Sequence, residues 1–200
     1  MSETRMPVQK RSVEKRERIV RNGFELMCNN GYFNTTTSDI AKYVGVSTGI
    51  IYQYFNDKKE IFIEGFSKYS DDIMFPILDI LKNSTIKLDN MEKLLNEMLN
   101  VFIEKHTLLK RAHEEMLALA HLDEDIDKIF LEQEIEATKA VTNVLRENGI
   151  GGEGLEERVH IIIGIVENYC HEIVYHKHSI LNYDVMKNEV INVICHMLKD

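Results

Sequence analysis

Hydrophobic residues recur along most of this chain every three or four positions, and no stretch alternates between hydrophobic and polar residues as a strand does. The spacing predicts an all-α protein of about nine helices. A cluster of four glycines between residues 149 and 154 marks the clearest loop. The predicted helices cover about residues 13–29, 36–44, 47–55, 58–74 or beyond, 91–104, 108–122, 125–148, 155–177 and 184–198.

The segment 37–56, TSDIAKYVGVSTGIIYQYFN, has the pattern of a helix-turn-helix motif. Ala41 is small where the second helix of the motif crosses the first, and Gly45 stands where the turn needs a positive φ. Hydrophobic residues at fixed offsets fill the wedge between the two helices: Ile40, Val44, Val46 and Ile51. The outward positions carry small or hydrogen-bonding residues, as a surface that reads a DNA groove requires: Ser47, Thr48, Gly49, Tyr52 and Gln53.

Polar residues before the short helices predict where these helices begin. Thr36 and Asp39 have the spacing of a capping box, and Asp57 and Glu60 repeat it at the start of the fourth helix. Ser47 is the predicted cap of the recognition helix. An ordinary pair of amphipathic helices would not need caps and packing residues at so many fixed positions.

The net charge of −9 is unevenly distributed along the chain. Residues 1–59 contain ten Lys/Arg and six Asp/Glu, a balance of +4, whereas residues 60–200 contain fourteen and twenty-seven, a balance of −13. A DNA-binding face needs positive charge only where it meets phosphates, so the acidic total does not exclude nucleic acid. We expect residues 1–11 to be a disordered basic arm with Arg5, Lys10 and Arg11.

The cysteines and the N-terminus indicate the cellular compartment in which the protein is expected. Cys28, Cys170 and Cys195 are widely spaced within helical patterns, which predicts reduced, buried thiols and neither a disulfide framework nor a metal knuckle. No hydrophobic run is long enough to cross a membrane, and the charged N-terminus is unlike a signal peptide. We therefore expect a cytoplasmic protein.

The run GYFNTTTSDIAKYVGVSTGIIYQYFNDKKEIF resembles the N-terminal domain of TetR/AcrR-type transcriptional regulators, and the similarity extends over roughly residues 13–63. The shared features are a Gly-aromatic pair, Thr-Thr, Asp-Ile-Ala, Gly-Val-Ser, a glycine, Tyr-x-Tyr-Phe and Lys-Glu at the start of the fourth helix. The resemblance implies an all-helical homodimer. It places a DNA-binding domain in residues 1–57 and a ligand-sensing and dimerisation domain in residues 58–200.

The resemblance also assigns residues to DNA contacts. Thr37 would donate to a phosphate at the start of the second helix, and Lys58 would anchor a phosphate just past the recognition helix. Ser47 and Thr48 would lie at the start of the recognition helix, and Gly49 would let its backbone approach the major groove.

Aromatic and amide side chains complete this set. Tyr52 would touch a base edge or a thymine methyl group, and Gln53 and Tyr54 would reach a phosphate or a base. Thr48 departs from the family, which often has a lysine or arginine there, so one electrostatic contact is missing. Gly23 replaces a helix former and is expected to weaken the first helix by roughly 1 kcal/mol. Pro76 lacks an amide proton, which predicts a kink or a break of the fourth helix.

The last two predicted helices are apolar on more than one face and must be buried on more than one face. We expect one face to pack within the protomer and the other to meet a second copy in a four-helix bundle; an internal position in a monomer is the alternative. The residues predicted for the dimer interface are Val159, Ile162, Val166, Tyr169, Ile173, Val190, Ile194 and Met197.

Polar residues interrupt apolar stripes in the C-terminal part, where we expect an effector cavity. A buried carboxylate there, such as Glu115 or Glu172, needs a histidine partner, with His113 and His171 as candidates, or a cationic ligand. Exposure to solvent or to the dimer seam is the alternative for each residue. The predicted lining residues are Phe66, Tyr69, Phe102, Glu115, Met116, Phe130, Gln133, Asn168 and Glu172.

These features predict a ligand-responsive DNA-binding regulator, most simply a repressor that a hydrophobic small molecule, cationic if the carboxylates bind it, releases from operator DNA. Two alternatives remain open: a C-terminal domain that docks a protein, and an interaction module that has lost DNA binding. The offsets between His171, His176 and His178 do not share a helix face, so we predict no metal or cofactor. Catalytic motifs are absent from the sequence, which argues against an enzyme.

Overall fold

The computed structural model describes residues 10–87, 90–108 and 110–199, and these residues form nine α-helices and no strand. The predicted all-α class is therefore confirmed. Of the predicted basic arm, Arg5 lies outside the described residues, whereas Lys10 and Arg11 begin the first helix. The helices are α1 (Lys10–Asn30), α2 (Thr37–Val44), α3 (Thr48–Tyr54), α4 (Lys58–Asn83), α5 (Met91–Leu108), α6 (Lys110–Ala120), α7 (Glu124–Glu147), α8 (Leu155–Val174) and α9 (Tyr183–Met197).

The chain divides into two compact units. The first combines the described part of Met1–Ser70 with Arg111–Ile129, and the second combines Asp71–Lys110 with Phe130–Asp200, as far as the latter is described. The division falls within α4 and not before it. Because α6 returns to the first unit, this unit is larger than the DNA-binding domain predicted from the sequence.

Aromatic residues of α1, α4 and the turn after α1 form the centre of the first unit. The Phe62 ring lies 5.3 Å from the Phe24 ring and 5.3 Å from the Tyr32 ring, measured between centroids. Burial of side chains of this size stabilises the fold by about 1.5–3 kcal/mol each. The wedge residues Ile40, Val44 and Ile51 are buried and join this core, and Ala41 is buried beside them. The fourth wedge residue, Val46, is half-buried.

Two glycines allow α1 and α4 to approach their neighbours closely. A β-carbon on Gly23 would lie 2.9 Å from Cγ2 of Ile61 and 3.1 Å from Cγ2 of Ile40, and both isoleucines are fully buried. A β-carbon on Gly65 would overlap the side chain of Phe24. Gly23 is therefore more than a weak point of α1, because it permits the contact of α1 with α2 and α4.

Helix α4 continues through Pro76, so of the expected kink or break the break does not occur. Proline removes one main-chain hydrogen bond from a helix. Ile77 and Leu81 in the turns that follow are buried, and their burial favours continuation of the helix.

In the second unit, α5, α8 and α9 pack against one another. The hydroxyl of Tyr175 donates to the carbonyl of His106 over 3.4 Å, and Lys187 Nζ donates to Asn100 Oδ1 over 2.9 Å. Helix α7 contributes buried threonine side chains and the hydrophobic residues of its last turns.

Helix α8 turns outward a different face from the one predicted. Val159 is 1% exposed, and Tyr169 and Ile194 are also buried, whereas Ile161 is 54% exposed and Val193 of α9 is 44% exposed. The assignment of Val159, Tyr169 and Ile194 to a dimer interface is wrong, because these side chains already complete the core of their own protomer. The other predicted interface residues are half-buried: Ile162, Val166, Ile173, Val190 and Met197.

The three cysteines are buried free thiols, as predicted. Burial, and next the charges of nearby glutamates, raises the pKa of Cys28 and of Cys170 to about 12 each. These thiols are therefore protonated at neutral pH. Within the described ranges, no helix combines the length and the hydrophobicity that crossing a membrane requires.

Candidate nucleic-acid interface

The start of α2 carries the predicted capping box. The N–H of Asp39 donates to the Thr36 hydroxyl oxygen over 3.2 Å, and the N–H of Thr36 donates to Asp39 Oδ2 over 2.9 Å. Hydrogen bonds from the side chain and then the backbone of Thr36 lower the pKa of Asp39. Thr37 follows as the first residue of α2, at the helix end whose amides and dipole favour anions such as phosphate.

The turn between α2 and α3 depends on Gly45. This residue has φ 75° and ψ 41°, and its N–H donates to the carbonyls of Ala41 and Lys42. A β-carbon at this position would meet no atom within 4 Å, so the requirement for glycine is conformational and not steric. The predicted role of Gly45 is therefore confirmed.

Ser47 occupies the cap position of α3, but its side chain makes no capping hydrogen bond, contrary to prediction. Its carbonyl instead accepts the N–H of Ile50 over 2.9 Å, which begins the helix without the hydroxyl. The exposed hydroxyl is therefore not used to start α3.

The outward face of α3 is exposed as predicted. Tyr52 is 55% exposed, Gln53 and Gly49 are exposed, and Thr48 is half-buried. A β-carbon on Gly49 would meet only Ser47 Oγ, at an ordinary contact distance of 3.9 Å. Packing within the protein therefore does not require glycine at this position.

The end of α3 is joined to α1. The hydroxyl of Tyr54 lies 2.6 Å from Ser12 Oγ, so it already has a partner within the protein. Nearby, Arg16 makes two contacts with the Glu64 carboxylate, at 2.7 and 2.6 Å, and lies 4.7 Å from the centroid of the Phe55 ring. These side chains hold the end of α3 against α1 and α4, while DNA contact by Tyr54 stays a prediction.

Lys58 has an internal role that the sequence did not indicate. Its ammonium group donates to the carbonyl of Tyr32 over 2.6 Å and to that of Thr35 over 2.7 Å, and it lies 4.3 Å from the centroid of the Tyr32 ring. Partial burial lowers the pKa of Lys58. A phosphate contact by Lys58 stays a prediction and would use the remaining N–H donor. Side-chain patterns cannot reveal this role, because the acceptors are main-chain carbonyls of a distant turn.

The predicted capping box at the start of α4 forms only in part. The N–H of Glu60 donates to Asp57 Oδ1 over 3.0 Å, as expected. The Glu60 carboxylate accepts from the main chain and side chain of Asn56, at 2.8 and 2.6 Å, and not from Asp57. The reciprocal bond is therefore displaced by one residue.

The predicted effector residues are distributed over both units. In the first, Phe66, Tyr69 and Met116 are buried, and in the second Phe102 is buried while Phe130 and Gln133 are half-buried. Asn168 is exposed, so its assignment to a cavity is wrong: it lies on the outward face of α8.

The two candidate carboxylates have partners within the protein. Glu115 Oε1 accepts the main-chain N–H of Tyr32, so its partner is neither a histidine nor a cation. Glu172 accepts the hydroxyl of Tyr183 over 3.4 Å and lies 3.7 Å from His178 Nε2. Neither carboxylate therefore requires a ligand.

The second unit holds polar groups that the sequence did not single out. His106 is buried, and burial lowers its pKa. Thr138 Oγ1 lies 3.1 Å from His160 Nδ1, which joins α7 to α8. Burial, and next the charge of Glu134, raises the pKa of Glu167 to about 7.

Comparison with known proteins agrees with this geometry. The family described as bacterial regulatory proteins, tetR family, matches residues 19–64. The Fatty acid metabolism regulator protein of Bacillus subtilis (strain 168) is 31% identical over 140 residues, which are 69% of this chain and 66% of the relative. This chain thus spans just under two thirds of the length of that relative.

Solved structures show the same fold over nearly the whole chain. A TetR-family transcriptional regulator from Mesorhizobium loti MAFF303099 has a TM-score of 0.71 at 17% identity, covering 95% of this chain and 98% of its own. A transcriptional regulator from Saccharomonospora viridis, solved in complex with choline, has a TM-score of 0.66 at 18% identity, with coverages of 92% and 97%. Residues 19–64 thus match the tetR family of bacterial regulatory proteins, and the chain as a whole has the fold of solved TetR-family regulators.

Proposed function

We propose that this protein binds operator DNA through the exposed face of α3 and regulates transcription as a repressor. The observation that carries this proposal is a set of groups that the fold itself does not need. Gly49 is exposed without a packing reason, the Ser47 hydroxyl makes no capping bond, and Tyr52 is 55% exposed. An exposed helix with free polar groups and a glycine suits close approach to a DNA groove.

The roles of these residues follow from their chemistry. Tyr52 and Gln53 can read base edges, because they combine a hydrogen-bonding group with reach. Ser47, Thr48 and Thr37 are short, and their hydroxyls suit phosphate oxygens that position the protein without reading sequence. The excess of basic residues in 1–59 favours approach of this end to DNA.

A homodimer would provide two copies of α3 for two half-sites. We place the interface on the exposed aliphatic side chains Ile161 of α8 and Val193 of α9, with Val185, 54% exposed, at the start of α9. Such side chains on neighbouring helices suit a self-complementary apolar contact about a two-fold axis. The half-buried residues of the interface predicted from the sequence would lie at the edges of this contact.

The effector we propose is a small molecule with an apolar part that binds in the second unit. The relative from Bacillus subtilis is a regulator of fatty acid metabolism, which makes genes of that metabolism candidate targets. The structure that contains choline makes a cationic amine the second class to test. Glu167 would suit a cation, because binding one would favour its ionised form over the protonated form that burial favours.

Release from DNA would follow from α4, which belongs to both units. The first residue of α4 comes four positions after Tyr54, the last residue of α3, so a shift of α4 moves the recognition helix. An effector that prefers the state with unsuitable half-site spacing lowers DNA affinity by its differential affinity for the two states.

The first test is binding of the full-length protein to the DNA upstream of its own gene. We expect tight binding whose affinity falls steeply with salt, and weak binding to a shuffled sequence of equal length. Equal affinity for both DNAs would contradict sequence-specific regulation. Thermal unfolding with long-chain fatty acids, acyl thioesters and choline tests the effector, because a bound ligand must raise the unfolding temperature.

A further inference from the structure

The main chain of Tyr32 is held from two sides by charged side chains that lie outside the helix-turn-helix. Its N–H donates to Glu115 of α6, and its carbonyl accepts from Lys58 of α4 over 2.6 Å. Hydrogen bonds to charged groups are roughly twice as strong as those between neutral groups. We name Glu115, Tyr32 and Lys58 the Tyr32 junction.

The Tyr32 junction lies directly before α2. Lys58 also donates to the carbonyl of Thr35, whose own hydroxyl donates to Gly31 over 2.9 Å and whose side chain is buried. The next residue, Thr36, is the cap of α2. The turn and the start of α2 are thus parts of one hydrogen-bonded structure, and Lys58 connects this structure to the residues that follow α3.

The N–H of Tyr32 needs an acceptor, but this need does not by itself explain a carboxylate. Tyr32 is 8% exposed, and a neutral oxygen would satisfy its N–H as well as Glu115 does. A carboxylate near a segment that binds phosphate opposes DNA by repulsion. The Glu115 carboxylate can therefore favour DNA binding only by holding the turn in the correct position.

Helix α6 supplies the acceptor of this contact. The chain passes from the second unit into the first at the boundary between Lys110 and Arg111, at the start of α6. Glu115 lies on the second turn of this helix, so the acceptor of the Tyr32 N–H comes from outside the helix-turn-helix. The hydrogen bond between Glu115 and the Tyr32 N–H involves no side chain of the recognition helix α3.

We propose that Glu115 and Lys58 are positioning residues for operator binding, which place the N-terminus of α2 through the Tyr32 main chain. This inference rests on the proposed function, because the quantity that the two residues affect is operator affinity.

The sign of the Glu115→Ala effect tests the inference. Positioning predicts roughly tenfold weaker operator binding, from the lost charge-assisted hydrogen bond, although the change removes a negative charge. Glu114→Ala makes the same charge change at an exposed neighbour and should bind as tightly as wild type or slightly more tightly. Glu115→Ala binding as tightly as Glu114→Ala would overturn the proposal. Should Glu115→Ala fail to fold by circular dichroism, Glu115→Gln replaces it, with weaker binding than Glu114→Gln expected.

Salt dependence separates positioning by Lys58 from a phosphate contact. Positioning predicts that Lys58→Met lowers affinity while the slope of log K against log salt stays that of wild type; a phosphate contact lowers the slope by about 0.9 per protomer. Lys58→Arg should not restore affinity, because the longer arginine cannot place its fork of N–H donors where the compact ammonium lies between the two carbonyls, whereas it would restore a phosphate contact. Lys68→Met, on the exposed side of α4, controls for charge. A reduced slope or rescue by arginine would overturn the positioning role.

Amide exchange in the absence of DNA keeps this inference distinct from the proposed function. We expect the Tyr32 N–H to exchange about tenfold faster or more in Glu115→Ala than in Glu114→Ala. Unchanged exchange would show that the Tyr32 junction does not exist in solution. If the junction is present but wild type shows no salt-dependent DNA binding, the proposed function fails and the positioning role fails with it.

Discussion

The exposed faces of α3 and α8 differ in the groups they leave uncovered. On α3 these are a glycine, a hydroxyl, an amide and a phenol, whereas α8 presents the aliphatic side chain of Ile161, with Val193 exposed on the neighbouring α9. Exposure to water costs polar groups little free energy, whereas removing an aliphatic surface from water lowers the free energy. The difference is the reason for proposing two kinds of partner: a polar, charged one for α3 and a second apolar surface for α8.

A charge on the aliphatic face should have the largest effect. Ile161→Glu places an unpaired carboxylate twice in a two-fold interface, and we expect the dimer dissociation constant to rise about a hundredfold or more. Sedimentation over a concentration series measures it. Leu131→Glu on α7 is the control, because Leu131 is 52% exposed and its change should leave the dimer intact. Equal behaviour of the two variants would remove α8 from the interface.

The second-largest effect is expected from removal of an aromatic side chain from the exposed face of α3. Tyr52→Ala removes a predicted base contact, and we expect operator binding to weaken about 10- to 100-fold with no change in unfolding temperature. Tyr43→Ala on α2 is matched in exposure, at 51% against 55%, and should bind nearly as wild type. Tyr52→Ala binding the operator as well as Tyr43→Ala would contradict our assignment of the reading face.

The rotation of α8 can be tested by pH. Glu167 and Asn168 are adjacent, yet the first is partly buried, with a pKa of about 7, and the second is exposed. The unfolded state loses the Glu167 proton near pH 4.5 and the folded state only near pH 7. Stability therefore falls as pH rises through this window, and the penalty is complete above it.

Glu167→Gln should remove this penalty. We expect the variant to be about 1–2 kcal/mol more stable than wild type near pH 8 and equally stable below about pH 4.5, measured by urea unfolding. Glu157→Gln, at an exposed position of the same helix, should show no such difference. Parallel pH profiles for wild type and Glu167→Gln would show that α8 is rotated differently.

The smallest effect concerns the exposed glycines of the two faces. Gly49→Ala and Gly164→Ala introduce a β-carbon into open helical positions, and each should stabilise the protein by about 0.5–1 kcal/mol. Operator affinity should fall in Gly49→Ala despite this gain, because the backbone can no longer approach the groove as closely. A Gly49→Ala protein that keeps full affinity would place the closest DNA approach elsewhere.

The residues of the helix-turn-helix were predictable because local rules determine them. Gly45 needs a positive φ, Thr36 and Asp39 cap each other, and Ala41 must be small where α3 crosses α2; each requirement involves residues within about ten positions. The hydrophobic pattern alone could not predict which side of α8 is buried. Both sides of that helix are apolar, so its periodicity could not distinguish the side that faces the protomer from the side left open.

The amino-acid sequence by itself determined the helices, the turn at Gly45 and the exposed face of α3, because backbone preference and hydrophobic spacing act over short distances. Only the tertiary structure decided that Gly23 and Gly65 permit close helix contact, that Val159 belongs to the core, and that Lys58 and Glu115 hold the main chain of Tyr32. These contacts join residues 17 to 83 positions apart, counting from Gly23–Ile40 to Tyr32–Glu115. Main-chain groups, which every residue carries, and the space around a glycine leave no pattern along the chain that would indicate such partners.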